Sequence, residues 1–447
     1  MRPPGGRCYH IESVTAAGTT AGQALGNRAS VGATVSAEQL TLGKRAIGSL
    51  RQQFFPPDMP GQFRLLVFGS LLTTTGFAIA YPFLTLYLNT RVGVPMDRIG
   101  LLFIGTAVGG LLAQVIVGPV ADRFGRKPVM LGGLFAQSCV SIGYTQATSF
   151  EQFALLSTLL GFSGSVFQPA SSAMVVDLVG PKRRAEAFGL TRVAANLGFV
   201  IGPSLGGFLA VHSYTMLFLA TPTAQLIYMV VLFVFARETL PARGKALKLH
   251  SWADGFGELV TDRPFVVLLV ASLLTTAVYT QLGTTLPVYL KQQIGIQESG
   301  YGLLMALNGG LIVLFQIPTT RLVERRDRAL VLSLGTLCYA VGIGSMGWWQ
   351  EFALFAMSMV VVTIGEMMIA PVASAEVADL APEHMRARYM AAFGLTWTLG
   401  YGLGPTWGAM VMARMGTPWL WNIAFAMGCV AALAYLPLHW LARRPRS

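Results

Sequence analysis

The sequence predicts an all-α membrane protein, with twelve transmembrane helices arranged as two pseudo-symmetric six-helix bundles. Three observations lead there. Of 447 residues, 53% are hydrophobic and only 12% are charged, about half the charge that a water-soluble domain carries. The apolar residues gather into twelve stretches, each near the roughly 20 residues that cross a bilayer as a helix. Residues of the two halves also match at a constant offset of 202 positions. Long unbroken apolar runs argue against a membrane β-barrel, whose strands alternate polar and apolar residues.

Along the chain, residues 1–62 are polar and rich in Gly, Ala, Ser and Thr, without the apolar core of a signal peptide. They read as a disordered tail, although Leu40, Ile47, Leu50 and Phe54 beside Lys44, Arg45 and Arg51 would also suit an interfacial helix. The first bundle is expected over 63–238, with spans at 65–88, 99–121, 129–147, 153–176, 188–211 and 216–236. A basic loop separates its second and third spans, and four glycines and a proline mark its fifth. A linker, 239–262, precedes the second bundle, 263–441, with spans at 265–290, 301–322, 329–349, 352–377, 389–412 and 420–441. A short tail, 442–447, closes the chain. The halves align at Gly100/Gly302, Gln114/Gln316, Asp122/Glu324, Pro169/Pro371, Asp177/Asp379 and Pro203/Pro405. Parallel six-helix repeats are an architecture of transporters, which rock two halves about a midplane site.

The net charge of +12 raises a nucleic-acid reading, which topology removes. Of 32 Lys and Arg, 27 fall on the side holding both termini, four (Arg91, Arg98, Lys291 and Arg414) on the other, and Arg192 lies within a span. The positive-inside rule places both termini in the cytoplasm of a multi-pass plasma (inner) membrane protein. The four cysteines fit no zinc or redox spacing, and neither metal nor cofactor is expected. Three of them lie in apolar runs and read as small buried hydrophobes.

The strongest motif is Gly118-Pro119-Val120-Ala121-Asp122-Arg123-Phe124-Gly125-Arg126-Lys127. Gly118 permits close helix approach. Asp122 suits a helix N-terminus or an arginine, and the three cations hold the loop inside. This loop resembles the signature of the major facilitator superfamily, Gly-x-x-x-Asp-Arg-x-Gly-Arg-Lys, and the resemblance extends over about residues 63–441. It implies the twelve-helix major facilitator fold with alternating access. It further implies a cytoplasmic charge network, in which Asp122 and Arg126 work with Asp177 to hold the outward-open state. The second copy, Glu324-Arg325-Arg326-Asp327-Arg328, is degraded. In the fifth span, Gly198, Gly202, Pro203, Gly206 and Gly207 resemble the superfamily's antiporter motif, associated with proton-driven drug exporters. Plain small-residue packing is the other reading. Ser204 also falls in a Gly-x-Ser-x-Gly pattern, but inside an apolar span and without His and acid partners, so an esterase is excluded.

Glu366 is the one carboxylate expected near the bilayer midplane, and an ionisable group at that depth is a functional candidate by default. It reads either as a proton carrier or as a structural acid bonded to a neighbouring helix. Arg192 either snorkels to the interface or joins proton coupling. Thr74, Phe77, Tyr81, Phe167, Gln168, Asn196, Tyr279, Gln281, Met367 and Trp397 are expected to line a substrate cavity. The resulting expectation is a monomeric, non-enzymatic, proton-coupled exporter of hydrophobic or cationic small molecules. A metabolite transporter of the same fold, or an uncoupled scramblase or receptor, stands as the alternative.

Overall fold

The structure is a computed structural model that describes residues 59–180, 183–240, 256–382 and 385–441. The tail through residue 58 and most of the linker lie outside the described residues, as does the interfacial helix considered for the tail. Six long helices build the first half: α1 (Gly61–Tyr87), α2 (Met96–Phe124), α3 (Arg126–Gly143), α4 (Phe150–Leu178), α5 (Arg184–His212) and α6 (Tyr214–Phe235). After a short helix, Phe256–Thr261, the second half holds α7 (Arg263–Tyr279 continued by Gln281–Tyr289), α8 (Glu298–Val323), α9 (Arg328–Ser345), α10 (Phe352–Leu380), α11 (Arg386–Arg414) and α12 (Thr417–Tyr435).

The offset of 202 recurs in the backbone. α3 and α9, α4 and α10, and α5 and α11 begin and end 202 residues apart. So do the π-turns Leu88–Val92 and Leu290–Ile294, each closed by a left-handed glycine, Gly93 at φ 79° and Gly295 at φ 81°. Helices outrun the expected spans. α4 and α5 have 29 residues each, about 43 Å at 1.5 Å per residue, against a hydrocarbon core of about 30 Å. Hydropathy marks only the part in lipid, and the polar ends continue the helix into the interface.

Among the described residues, ten helices are long and apolar enough to cross a membrane. α3 and α11 are the exceptions. α3 is only 18 residues long and opens on Arg-Lys, and α11 is rich in Gly, Thr and Trp. Large apolar side chains such as Phe135, Leu155, Phe208, Phe233, Leu314 and Leu433 face outward, as a lipid-facing surface requires. Cys139 is exposed too. It is therefore not the buried hydrophobe expected of it, because in a membrane protein an apolar environment also exists outside the fold.

Within the halves, α1 packs on α5 and α6, and α2 on α4; α9 packs on α10 and α12, and α7 on α11 and α12. The halves meet chiefly at two crossings, α5 with α8 and α2 with α11, and the second segment of α7 also packs on α1. The repeats thus meet around a pseudo-twofold axis. The main apolar core gathers at the face away from the start of α1, here the far face. It runs across both halves through Phe83, Leu88, Phe153, Leu286, Tyr301 and Trp421. Near the opposite, basic face, a second core draws on the second half alone, through Phe265, Leu332, Val377 and Tyr435.

Candidate functional site

Glu366 stands at the midpoint of the 29-residue α10. Asn308 of α8 donates from Nδ2 to Glu366 Oε2 at 3.0 Å, and the Tyr279 hydroxyl of α7 donates to Oε1 at 3.4 Å. The same Asn308 amide reaches Thr363 Oγ1 at 3.0 Å, and Thr363 donates in turn to the Met359 carbonyl at 2.6 Å. Three helices of the second half therefore converge on one carboxyl group. Asn308 Nδ2 can only donate, whereas the Tyr279 hydroxyl can donate to a carboxylate or accept from a protonated acid, so the site accommodates both charge states. The longer Tyr279 bond is the weaker and the one best placed to rearrange.

Tyr279 is aimed by a break in α7 at Thr280. The Ala277 carbonyl there accepts side-chain donors, Gln281 Nε2 at 2.9 Å and Trp407 Nε1 at 3.3 Å, and such insertions interrupt a helical ladder. Gln281 also donates to the Gly404 carbonyl at 2.8 Å and is fully buried. It ties α7 to α11 and lines neither of the two cavities described below, contrary to expectation. A buried amide cannot both satisfy this backbone and face a ligand.

A cavity of about 310 Å³ lies in the first half among α1 to α5, and Thr74, Phe77, Tyr81, Phe167 and Gln168 all line it. Phe103, Gln137 and Phe199, not anticipated from the sequence, line it as well. Tyr279 and Trp397 border a separate, smaller cavity of about 50 Å³ in the second half, and Arg192 reaches into it from α5. Asn196 is exposed and borders neither. Met367 is buried against α8, where Gln316 Nε2 donates to its carbonyl at 3.1 Å. Gln114 donates to Thr398 Oγ1 at 3.3 Å across the α2–α11 crossing. Both repeated glutamines thus bond between helices.

At the basic face, Gly125 takes φ 102° between α2 and α3, which glycine tolerates and other residues resist. A Cβ there would also stand 2.5 Å from Glu238 Oε2. The space admits Glu238, just past α6, which accepts from the backbone N–H groups of Arg126 and Lys127 at 3.0 Å each. It caps α3 from another helix. Lys127 Nζ donates back to the carbonyls of Phe233 and Ala236 at 2.8 and 2.7 Å. Arg126 pairs with Asp177 at 3.5 Å, and Thr239 donates to the same carboxylate at 3.1 Å. Arg123 lies 5.4 Å from the Phe124 ring centroid. Gly118 and Asp122 lie in α2, but their side chains are outside the described residues. Glu238 and Thr239 were invisible as partners in the sequence, since nothing there shows the end of α6 meeting the start of α3.

The degraded second copy keeps the ion pair. Arg328 bonds Asp379 and reaches Glu376 at 3.4 Å, and Arg328 and Asp379 are the repeat equivalents of Arg126 and Asp177. Asp327 replaces Gly125 and caps its own helix, accepting from Leu330 N–H at 3.1 Å, while His439 meets it at 2.6 Å. Each half thus ties a loop to the segment that follows its last long helix, with the acid on opposite partners.

Burial pushes the Glu238 carboxyl up, but four backbone N–H donors outweigh this and hold it below its ordinary 4.5. Its stabilisation is therefore complete above the ordinary carboxylate value and lost only as pH falls through the lower folded value. Glu238→Ala is expected to cost about 0.5–2 kcal/mol, as helix caps do. Thermal unfolding in detergent should show a gap between wild type and variant that is constant over about pH 5–8 and closes in stronger acid.

The far face is sealed. Ser204 Oγ of α5 donates to the Gly302 carbonyl of α8 at 3.4 Å, and the Tyr214 hydroxyl donates to Glu298 at 3.0 Å. Lys291 closes on the same carboxylate at 3.0 Å, Gln292 meets Asn89, and Thr406 donates to the Gly100 carbonyl at 2.7 Å. Phe83 and Tyr301 meet edge to face across the seam, 5.5 Å apart, an arrangement worth about 0.5–1.5 kcal/mol beyond burial. The glycine motif of α5 serves two contacts. Gly198, Gly202 and Gly206 lie against α1, whereas Gly207 lies against the α8 backbone at Glu298 and Gly302. Pro203 sits inside α5 with its carbonyl facing Gly302. The Arg126–Asp177 pair is thus formed in a structure whose far face is closed.

A family model described as Major Facilitator Superfamily matches residues 66–300 and again 282–447. A Na(+), Li(+), K(+)/H(+) antiporter of Planococcus maritimus is 27% identical over 413 residues, covering 85% of this chain and 96% of that protein. The multidrug resistance protein MdtH of Salmonella newport is 26% identical over 411 residues, covering 87% and 95%. Among solved structures, the nucleoside transporter NupG superposes with a TM-score of 0.70 at 16% identity, covering 86% of this chain and all of that one; this likeness concerns the fold.

Proposed function

The chain belongs to the major facilitator superfamily, and from that premise we propose that it is a proton-coupled exporter of hydrophobic small molecules. The protein is a multi-pass secondary transporter. The observation that carries the coupling is Glu366, a carboxyl at mid-helix held by Asn308 and Tyr279 from two other helices. Protonation changes which of its atoms donate, so it alters contacts among α7, α8 and α10, the elements that must move in alternating access. Arg192, which borders the same small cavity as Tyr279, is assigned to coupling as the one cation within a predicted span. In this reading the basic face is cytoplasmic, the far face is external and the transporter works as a monomer in the plasma membrane. The drug-export reading draws support from the aromatic cavity of the first half and from the similarity to a multidrug resistance protein.

A second reading, exchange of alkali cations for protons, is favoured by the similarity to a cation/proton antiporter. One assay separates the two. In everted vesicles made acid inside, an amphipathic aromatic compound is expected to dissipate the pH gradient, and NaCl or KCl is not. The reverse pattern selects cation exchange. Substrate movement that ignores a collapsed gradient overturns proton coupling altogether.

A further inference from the structure

The first-half cavity is lined by uncharged side chains. Among the described residues, its walls contain no Asp, Glu, Lys, Arg or His. Its polarity comes from hydroxyls and amides, among them Thr74, Gln137, Ser165 and Gln168. A cation moved from water into such a site finds no counter-ion, and burial of an unpaired charge is heavily penalised. Glu366 is not among its lining residues. It belongs to the second half, with both carboxyl oxygens engaged.

A second observation points to a ligand. The Tyr81 hydroxyl is buried and has no hydrogen-bond partner among the described residues, although buried polar groups are nearly always paired. Its ring is held in place, stacked on Phe77 at 4.9 Å and edge-on to Phe103 at 5.9 Å. Phe167 and Phe199 complete an aromatic wall. Tyr81 also contacts Tyr401 of α11 at 6.1 Å, which stacks on Trp397 at 6.0 Å. A ligand on Tyr81 therefore touches the residue that leads into the second half.

We infer that this cavity selects uncharged aromatic compounds that carry a hydrogen-bonding group for Tyr81, and that it excludes permanent cations. The inference rests on the transport reading above and narrows its substrate class from hydrophobic compounds in general to neutral ones.

The test is equilibrium binding to the full-length protein in detergent, without a proton gradient. The probes are N-propyl dansylamide and its analogue ending in trimethylammonium, which share a fluorophore and differ in charge. The neutral probe should brighten and saturate, with the cation at least about tenfold weaker. Tyr81→Phe should weaken the neutral probe by about 3- to 10-fold. Gln168→Glu places a carboxylate in the wall and should make the cation the tighter ligand. Equal or tighter binding of the cation by wild type overturns the inference. So does an unaltered neutral affinity in Tyr81→Phe, or a Gln168→Glu variant that still rejects the cation. The wild-type comparison and the gain of cation binding stand even if Tyr81→Phe folds poorly. Because binding is read without a gradient, transport that proves uncoupled overturns the proton reading and leaves this one intact.

Discussion

Glu366→Gln is expected to abolish transport driven by a pH gradient while leaving exchange of substrate for substrate in place. Glutamine keeps the length and the hydrogen-bonding capacity of the side chain, so contacts to Asn308 and Tyr279 can largely re-form. It cannot bind and release a proton. Coupling energies of about 1–3 kcal/mol correspond to about 5- to 150-fold changes in an equilibrium, and that dependence on pH should vanish from the variant. The measurement is counterflow in proteoliposomes against uptake driven by an imposed gradient. Loss of both activities in a well-folded variant would identify Glu366 as structural, the other reading its position allows. Retention of both would remove it from the mechanism.

The second large effect is expected at Gly207. A Cβ there would lie 2.6 Å from the Glu298 carbonyl oxygen and 3.1 Å from Gly302 Cα. Both are backbone atoms of α8 and cannot swing aside. Gly207→Leu must push α5 from α8, and with it the Ser204–Gly302 and Tyr214–Glu298 bonds that seal the far face. Overpacking costs about 1–3 kcal/mol, here charged against one conformation only, so the population should move about 5- to 150-fold away from the far-face-closed state. Spin labels on α5 and α8 at the far face should report longer distances, and transport should fall. Gly206 is the control. Its Cβ would meet the Ile79 carbonyl of α1 in the same half at 2.3 Å, so Gly206→Leu should lower stability without that bias. Unchanged label distances in Gly207→Leu would show that the α5–α8 seam does not hold the closed state.

Particular residues show where the sequence was legible. The repeat could be read from matches such as Asp177 and Asp379, because two copies of one fold preserve helix ends at a fixed offset. Glu366 could be read because charge is rare in lipid and one exception stands out. Asn308 carried the same kind of signal, a polar amide inside an apolar span, but an uncharged residue is cheap enough there to pass for packing. Gln281 looked like a cavity residue and is instead bonded to backbone across two helices. Its type declared only that it needed partners. The second-half signature reads as degraded, yet Arg328 and Asp379 still pair, since an ion pair needs two groups at a place and not a motif.

The sequence by itself determined the fold class, the twofold repeat, the sidedness of charge and the one deep acid. These depend on water, lipid and helix geometry acting on each segment separately. Only the tertiary structure decided which groups meet: Glu238 on the start of α3, Asn308 on Glu366, and Gly207 against α8. It also decided that the aromatic cavity lies in the half that lacks Glu366. Those facts depend on the rotation and depth of each helix against its neighbours, and packing sets these only when all the helices are in place.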